Sequence, residues 1–290
     1  MKRLLILLAV CCVLGGESRA ADPTTPAEIV RYVAIDNVCA WPNLTRLSDG
    51  SIAAIIHNRP SHGGMEGDIE CWTSSDRALW QKRGHPAPNE PNTIRMNHAA
   101  GLTKNGDLLV LCSGWADIKQ PERPKQDSFR DAVLRPWVCR SSDGGRTWSQ
   151  VKNFPAPEPG WTEFIPFGDL FVGEDGGLHV SCYQGEFADP TKTYKTKRYR
   201  SWHLRSDDDG QSWRPIGVIG PTHNETTMFP LGGWRWLAAA RETAMDLFRS
   251  AARDRTQRDQ RTSHPVERWP LAAELRQSRE GTIRSAGQTE

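Results

Sequence analysis

Charged side chains that can bind an anion or transfer a proton flank two strand-like parts of the sequence. Arg59 and Asp68 stand at either end of a short loop that leads into the strand-like stretch Ile69–Trp72, and Glu225 and Arg241 stand on either side of a Gly-Gly turn. A planar guanidinium binds a carboxylate through two hydrogen bonds, and a carboxyl group donates or accepts a proton. These two pairs are the candidate functional residues of the chain.

Each pair also has a purely structural explanation. Arg59 and Asp68 can be solvated groups on an exposed loop, and Glu225 with Arg241 can be a plain cross-strand ion pair. Other potential ligands are weaker, because His85 and His98 have no partner at ligand spacing and the sequence has no C-x-x-C pair. We therefore expect neither a zinc site nor a cofactor.

Composition and charge exclude several classes of protein. The chain has 290 residues, of which 37% are hydrophobic and 25% charged, and this is compatible with a packed core. The total charge is +2, but residues 1–20 carry +2 and residues 249–290 carry +3, which leaves 21–248 at −3. A mildly acidic body does not predict nucleic-acid binding, and no apolar run is long enough to predict a membrane span.

The first 20 residues have the order of a secretory signal peptide. Lys2 and Arg3 precede the apolar run Leu4–Leu14, and small residues follow up to Ala20. We expect export, to the periplasm or outside the cell, with 21–36 as an N-terminal extension; a buried N-terminal helix is the alternative. Cleavage would leave five cysteines, which we expect to be small buried strand residues forming at most two disulfides.

A repeated pattern, S-x-D-x-G-x-x-W, organises the middle of the chain. Full copies span 141–148 and 206–213, and a copy that lacks the Gly and is one residue short spans 74–80. In such a unit the Asp accepts hydrogen bonds from the backbone of its own turn, the Gly supplies a positive φ, and the Trp covers the turn. The pattern therefore predicts a stapled hairpin with a structural role.

A second unit, a tight turn followed by an apolar run, alternates with the first. The four turns are Ser48–Gly50, Lys104–Gly106, Glu174–Gly176 and Leu231–Gly233. Asn-Gly and Asp-Gly between strand-like runs are strong hairpin signals. Each repeat of about 55–70 residues then holds four antiparallel strands, which is the content of one propeller blade.

These repeats resemble the Asp-box repeats of the sialidase superfamily over about residues 37–250. The resemblance implies a six-bladed β-propeller that removes terminal sialic acids from a glycan or glycoconjugate by a retaining mechanism with a Tyr nucleophile. We therefore expect an all-β, sialidase-like β-propeller that is incomplete, with about four blades. The resemblance places Asp143 and Asp208 of the repeats on the rim, away from the ligand.

The resemblance also implies roles for the candidate residues. Arg59 and Arg241 match substrate-binding arginines that hold the sialic acid carboxylate. Asp68 matches the acid/base catalyst, with Glu66 as a substitute, and Glu225 matches the glutamate that polarises the Tyr nucleophile. We expect Arg59, Asp68, Glu225 and Arg241 to converge at one end of the propeller axis.

One family motif is missing. The Arg-Ile-Pro unit that carries the first substrate arginine corresponds to Ala40-Trp41-Pro42 in this sequence. We therefore expect an exported glycoside hydrolase of sialidase type that acts on terminal sugars but is truncated and impaired. The alternative is a non-catalytic propeller that binds glycans or proteins.

The strand pattern stops after Ser250. Residues 251–290 are basic and are expected to lack stable packing, with at most a marginal helix around Leu271–Arg279. A shifted reading frame is the second hypothesis. Loss of one nucleotide within the codons for Glu267–Ser278 permits the text Ser-Asp-Gly-Arg-Leu-Leu-Leu-Ser-Tyr-Gly-Asn-Arg, which is another Asp-Gly hairpin.

Overall fold

The computed structural model describes residues 31–61, 66–116, 132–188, 196–233 and 235–242, with the strand segments 273–277 and 283–285. The chain divides into two units, Met1–Val33 and Ala34–Glu290. In the first unit only residues 31–33 are described, so the expected signal peptide lies outside the described residues. All regular elements of the described part are strands, and it contains no helix that could cross a membrane.

The strands form four antiparallel meanders in chain order, which we call blades 1 to 4. Blade 1 contains β1 (Cys39–Arg46), β2 (Ile52–His57), β3 (Ile69–Ser74) and β4 (Gln81–Ala87). Blade 2 contains β5 (Thr93–Leu102), β6 (Leu108–Ala116), β7 (Ala132–Ser141) and β8 (Ser149–Val151). Blade 3 contains β9 (Ile165–Val172), β10 (Leu178–Phe187), β11 (Thr196–Ser206) and β12 (Arg214–Gly220). Blade 4 contains β13 (His223–Pro230), β14 (Arg235–Glu242), β15 (Ala273–Gln277) and β16 (Ile283–Ser285).

Blades 2 and 3 share one sheet of eight strands, because their first strands β5 and β9 pair in parallel at Ala99–Gly168 and Ala100–Asp169. Blades 1 and 4 are separate sheets of four strands, and among the described residues no strand of one pairs with a strand of the other. The described strands therefore form an open, incomplete propeller, which confirms the all-β fold expected from the sequence.

Apolar side chains fill the spaces between successive blades. The space between blades 1 and 2 includes Ile55, Ile69, Leu108, Val110 and Cys139, all of them fully or almost fully buried. Leu109, Leu111, Val138, Leu178, Leu204 and Trp213 lie between blades 2 and 3, and Met228, Trp236 and Ala238 pack towards blade 3 from blade 4. Each fully buried aliphatic or aromatic side chain contributes about 1.5–3 kcal/mol, so these layers hold neighbouring blades together.

The S-x-D-x-G-x-x-W units are the turns between the third and fourth strands of blades 2 and 3. Asp143 accepts hydrogen bonds from the Arg146 N–H at 3.0 Å, the Thr147 N–H at 2.9 Å and the Ser141 hydroxyl at 2.8 Å. The Thr147 hydroxyl, which donates at 2.6 Å, contributes most to a strongly lowered pKa of the Asp143 carboxyl. The predicted stapled turn is confirmed.

The glycine of each unit also lets the turn approach the preceding blade. A Cβ atom on Gly145 would lie 2.5 Å from Cys71 Sγ in blade 1, and one on Gly210 would lie 2.5 Å from Leu109 in blade 2. Both glycines have a positive φ, +88° and +87°. The motif therefore serves local turn geometry and contact between blades at the same time.

Two segments of the tail differ from the sequence-based expectation. Ala273–Gln277 pairs with β14 and Ile283–Ser285 pairs with Ala273–Gln277, so a strand replaces the marginal helix expected around Leu271–Arg279. The physical reason is that β14 otherwise presents a row of unpaired backbone N–H and C=O groups, and such an edge recruits a further strand with little regard to side chains. The rest of 251–290 lies outside the described residues.

The five cysteines that follow the expected cleavage site are free thiols in strands. Cys71, Cys112, Cys139 and Cys182 are buried, as expected, and Cys39 is partly buried. Burial raises the pKa of the Cys71 and Cys112 thiols to about 12. Thiols that stay protonated at neutral pH are poor nucleophiles and poor metal ligands.

Candidate active site

The first strands of blades 2, 3 and 4 run in the same direction. β5 and β9 pair in parallel. β13 runs in the same direction as β9. Gly168 of β9 lies against Thr227 of β13, and further along both strands the Phe171 and Phe229 rings meet with centroids 5.8 Å apart.

β1 has the same direction. The Trp41 ring meets the Phe167 ring with centroids 6.0 Å apart, and two residues later the Asn43 amide donates a hydrogen bond of 3.2 Å to the Gly168 carbonyl. Because strands alternate within a blade, the end at which first strands begin is also the end at which second strands stop and third strands begin. We call it the upper end, and the opposite end the lower end.

Arg59 and Asp68 lie at the upper end of blade 1, after β2 and before β3. The exposed Arg59 guanidinium donates a hydrogen bond of 2.9 Å from Nη2 to the Glu66 carbonyl. The Asp68 carboxylate accepts one of 2.6 Å from the Asn89 N–H and lies 3.5 Å from His85 Nδ1. It stays 18% exposed. A carboxylate that is anchored and still reaches solvent is suited to proton transfer.

Glu225 and Arg241 lie at the upper end of blade 4. The register of β13 against β14 shifts between His223 and Thr226, so Glu225 stands in a bulge opposite Arg241. Arg241 Nη1 lies 2.7 Å from Glu225 Oε2, and Arg241 Nε donates to Asn224 Oδ1 at 2.9 Å. The side chain of Glu225 is 13% exposed and that of Arg241 43% exposed. The pair is thus a cross-strand ion pair whose arginine remains accessible to an anion.

Strand direction places all four candidate residues at the upper end. It places Asp143 and Asp208 at the lower end, where third strands turn into fourth strands. The structure brings Glu225 into contact with Arg241 and places Arg59 and Asp68 on one loop. Their convergence around a single ligand stays a prediction.

The sialidase of Micromonospora viridifaciens is similar to this chain in sequence, with 29% identity over 205 residues that cover 69% of this chain and 29% of that protein. A solved structure, the Trypanosoma rangeli sialidase in complex with the inhibitor DANA, matches with a TM-score of 0.52 and 19% identity, covering 69% of this chain and 34% of that one. The fold is sialidase-like. No protein-family model matches the sequence.

The sialidase-like fold of this chain is also similar to other glycoside hydrolases. A family 117 glycoside hydrolase of Zobellia galactanivorans matches with a TM-score of 0.55 and 12% identity, covering 89% of this chain and 74% of that one. The chain spans 29% of the length of the curated sialidase. One fold hosts many substrates, so the activity has to be argued from the residues of this chain.

Sequence reasoning assigned no role to Trp41 at the upper end of the sialidase-like blade 1. The register of β1 against β2 shifts between Cys39 and Asn43, so Trp41 lies in a bulge, and its φ of +48° is left-handed. The available signal was the Trp-Pro pair within a strand, because a proline inside a sheet is typical of an edge strand or a bulge.

Asp169, in the middle of β9, is a second residue that sequence reasoning missed. Its carboxylate accepts a hydrogen bond from the Asn43 amide, which also reaches the Ala100 carbonyl at 3.2 Å. Burial raises the pKa of the Asp169 carboxyl above its ordinary value, and the Asn43 hydrogen bond opposes part of that change. The contact ties β1 to β9 and thereby fixes the first strands that carry the upper end.

A group of one carboxylate and two imidazoles at the lower end looks catalytic, but the imidazoles are closed to solvent. His179 Nε2 lies 3.1 Å from Asp175 Oδ1, and His179 Nδ1 lies 2.8 Å from His203 Nε2. Both imidazoles are 1% exposed, and the Trp236 ring of blade 4 packs on them with centroids 4.7 and 5.1 Å away. These three side chains therefore form part of the contact between blades 3 and 4. Across the described residues, no group of three or more His, Cys, Asp or Glu side chains is placed to hold a metal ion.

Proposed function

We propose that the protein is an exported, sialidase-like glycoside hydrolase that acts on terminal sugars of glycoconjugates at the upper end of its blades. The observation that carries the proposal is the occurrence of both candidate pairs at that end of a sialidase-like fold. Asp68 stands there as an anchored, accessible carboxylate, and the Glu225–Arg241 pair stands there as an accessible guanidinium held by a carboxylate. Export is supported by the order of charged, apolar and small residues in 1–20.

In this proposal each residue has a defined task. Asp68 donates its proton to the glycosidic oxygen while the bond to the anomeric carbon breaks, and then accepts a proton from the attacking water. Arg241, oriented by Glu225 and Asn224, binds an electronegative group of the sugar. Arg59 adds positive charge beside Asp68.

No tyrosine of the chain stands where the resemblance implies the nucleophile. The resemblance implies a Tyr that follows the second arginine, whereas all four tyrosines of the chain, Tyr32, Tyr183, Tyr194 and Tyr199, precede Glu225. Glu225 then has no tyrosine at the matching position to activate. Loss of a positioned nucleophile removes on the order of several kcal/mol of barrier lowering, so we expect hydrolysis to be impaired.

A second candidate function is glycan binding without catalysis. It is favoured by alanine at position 40, where the resemblance implies the first arginine. Both candidates use the same end of the same blades. Both candidates predict glycan binding, but only the hydrolase predicts turnover of a glycoside.

One experiment separates the two candidates. The purified chain is applied to a glycan array and, in parallel, to fluorogenic glycosides, with Arg241→Gln as the site variant. Arg235→Gln is a matched control, because Arg235 lies at the other end of the same strand and is also exposed. We expect Arg241→Gln to weaken glycan binding about tenfold and Arg235→Gln to leave it unchanged. Equal binding by both variants, or no glycan binding by the parent chain, would overturn the proposal.

A further inference from the structure

Trp41 holds a backbone conformation that costs free energy. Its φ is +48°, and a bulky L-residue pays about 1–2 kcal/mol for the left-handed region. The proline that follows restricts it further, since a residue before proline favours extended conformations. Strained residues persist only where their surroundings over-determine them, and they cluster at ligand-binding positions.

The surroundings of Trp41 do over-determine it. The bulge between Cys39 and Asn43 interrupts pairing with β2, and a bulge re-aims the side chain of its extra residue. The ring lies edge to face with Phe167 of β9, at an interplanar angle of 69°. The Asn43 amide then fixes β1 to β9 through the Gly168 carbonyl. Blades 1 and 3 therefore hold an aromatic pair in a defined place at the upper end.

Each arginine at the upper end already has a partner within the protein. Arg241 already contacts Glu225 and Asn224, and Arg59 already donates to the Glu66 carbonyl. Position 40, matched to the first substrate arginine, is an alanine and offers no side-chain donor. A carboxylate-bearing sugar would therefore find fewer uncommitted cations here than three converging arginines provide.

We propose that Trp41, braced by Phe167, is a stacking platform for the C–H face of a neutral hexopyranose, and that it selects such a sugar over sialic acid. Both aromatic rings are half-buried, so each keeps surface in contact with solvent. An aromatic face is large, apolar and slightly negative, and it attracts the polarised C–H bonds on the apolar face of a pyranose. The inference rests on the proposed function and names the substrate class for the same site.

The test is saturation-transfer NMR and calorimetric titration with two probes. One probe is a set of methyl glycosides of neutral hexopyranoses, and the other is the methyl glycoside of N-acetylneuraminic acid. We expect the full chain to bind at least one neutral glycoside more tightly than the sialoside. Trp41→Gly removes the ring and relieves the positive φ, and should weaken neutral binding at least tenfold, whereas Trp41→Phe should retain most of it.

Trp80→Ala is the matched control, because Trp80 lies in the lower-end turn of the same blade. It should leave binding unchanged, and a thermal melt of each variant shows whether it is folded. Tighter binding of the sialoside, or equal binding by Trp41→Gly and the parent chain, overturns the platform while glycan binding stands. If neither the neutral glycosides nor the sialoside bind, the proposed function itself is wrong. Failure of the platform and failure of the proposed function therefore give different results.

Discussion

The Arg241 guanidinium lies 2.7 Å from the Glu225 carboxylate, across adjacent strands at the upper end of blade 4. The carboxylate is largely shielded from water and the guanidinium is nearly half exposed. The pair thus combines a structural bond with an accessible cation. The contribution of the pair to the free energy of unfolding can be measured separately from any role in ligand binding.

We expect a double-mutant cycle of Glu225→Gln and Arg241→Gln to give a coupling free energy of about 1 kcal/mol, because solvent screens the exposed partner. Urea unfolding of the parent, both single variants and the double variant provides the measurement. Removing Arg241 alone should cost more than removing both groups, since it takes the guanidinium away from a carboxylate that is shielded from water. A coupling indistinguishable from zero would show that the contact has no energetic role.

We expect the 290-residue chain not to release sialic acid from a fluorogenic sialoside above the uncatalysed rate. The first substrate arginine is replaced by alanine at position 40, and no tyrosine follows Arg241 in the chain. Restoring the arginine by Ala40→Arg should not restore turnover, because the nucleophile is still missing. Clear turnover by pure protein would mean that another side chain attacks the sugar.

Stability should fall below neutral pH because of His179 and His203. Asp175 accepts from His179 Nε2–H, so His179 Nδ1 is an acceptor and His203 Nε2 must carry its proton. Burial, together with the neighbouring His179, lowers the pKa of His203 from its ordinary 6.5 to about 3, and burial also lowers that of His179. The stability contributed by neutral His203 is fully present above pH 6.5 and is lost as the pH falls towards its folded-state pKa. Between pH 6.5 and 5 the loss is about 2 kcal/mol.

Urea unfolding at these two pH values checks the expectation. His203→Gln is the informative variant, since its amide still donates to His179 and does not titrate. It should flatten most of the pH dependence. An unchanged slope would assign the effect to other groups.

Asp209 should act as a latch between blades 2 and 3. Its carboxylate accepts hydrogen bonds from the Lys104 N–H at 2.9 Å and the Asn105 amide at 2.8 Å, in the first hairpin turn of blade 2. Its φ is +57°, and the same position of the other two turns, Gly144 and Arg77, is also left-handed at +71° and +65°. The hydrogen bonds of the Asp209 side chain, which a glycine could not make, thus offset the free-energy cost of the positive φ.

We expect Asp209→Ala to destabilise the protein by about 2–3 kcal/mol, because it loses the hydrogen bonds and keeps the strained φ. Asp209→Gly should be about 1 kcal/mol milder, since it relieves the strain, and Asp209→Asn milder still. Chemical denaturation of the three variants ranks them. If alanine and glycine were equal, backbone strain would have no part in the effect.

Local features of this protein were predictable from short stretches of sequence. The Asp-Gly and Asn-Gly hairpins and the Asp143 turn depend on contacts within about eight residues. The residue types at each turn position set the φ preferences and the hydrogen bonds. The tail showed the limit of the same reasoning. The residues of 273–277 are all good helix formers, yet the segment pairs with β14 because an open sheet edge offers it backbone partners.

The sequence by itself determined the repeats, the all-β fold and the residue types that can bind a sugar or move a proton. Only the tertiary structure decided that Trp41 turns into the left-handed region against Phe167, and that His179, His203 and Trp236 close a buried chain between two blades. These contacts join residues far apart in the chain. They depend on strand register, on bulges and on the direction of neighbouring first strands, and these are set by packing of the whole sheet rather than by any local preference.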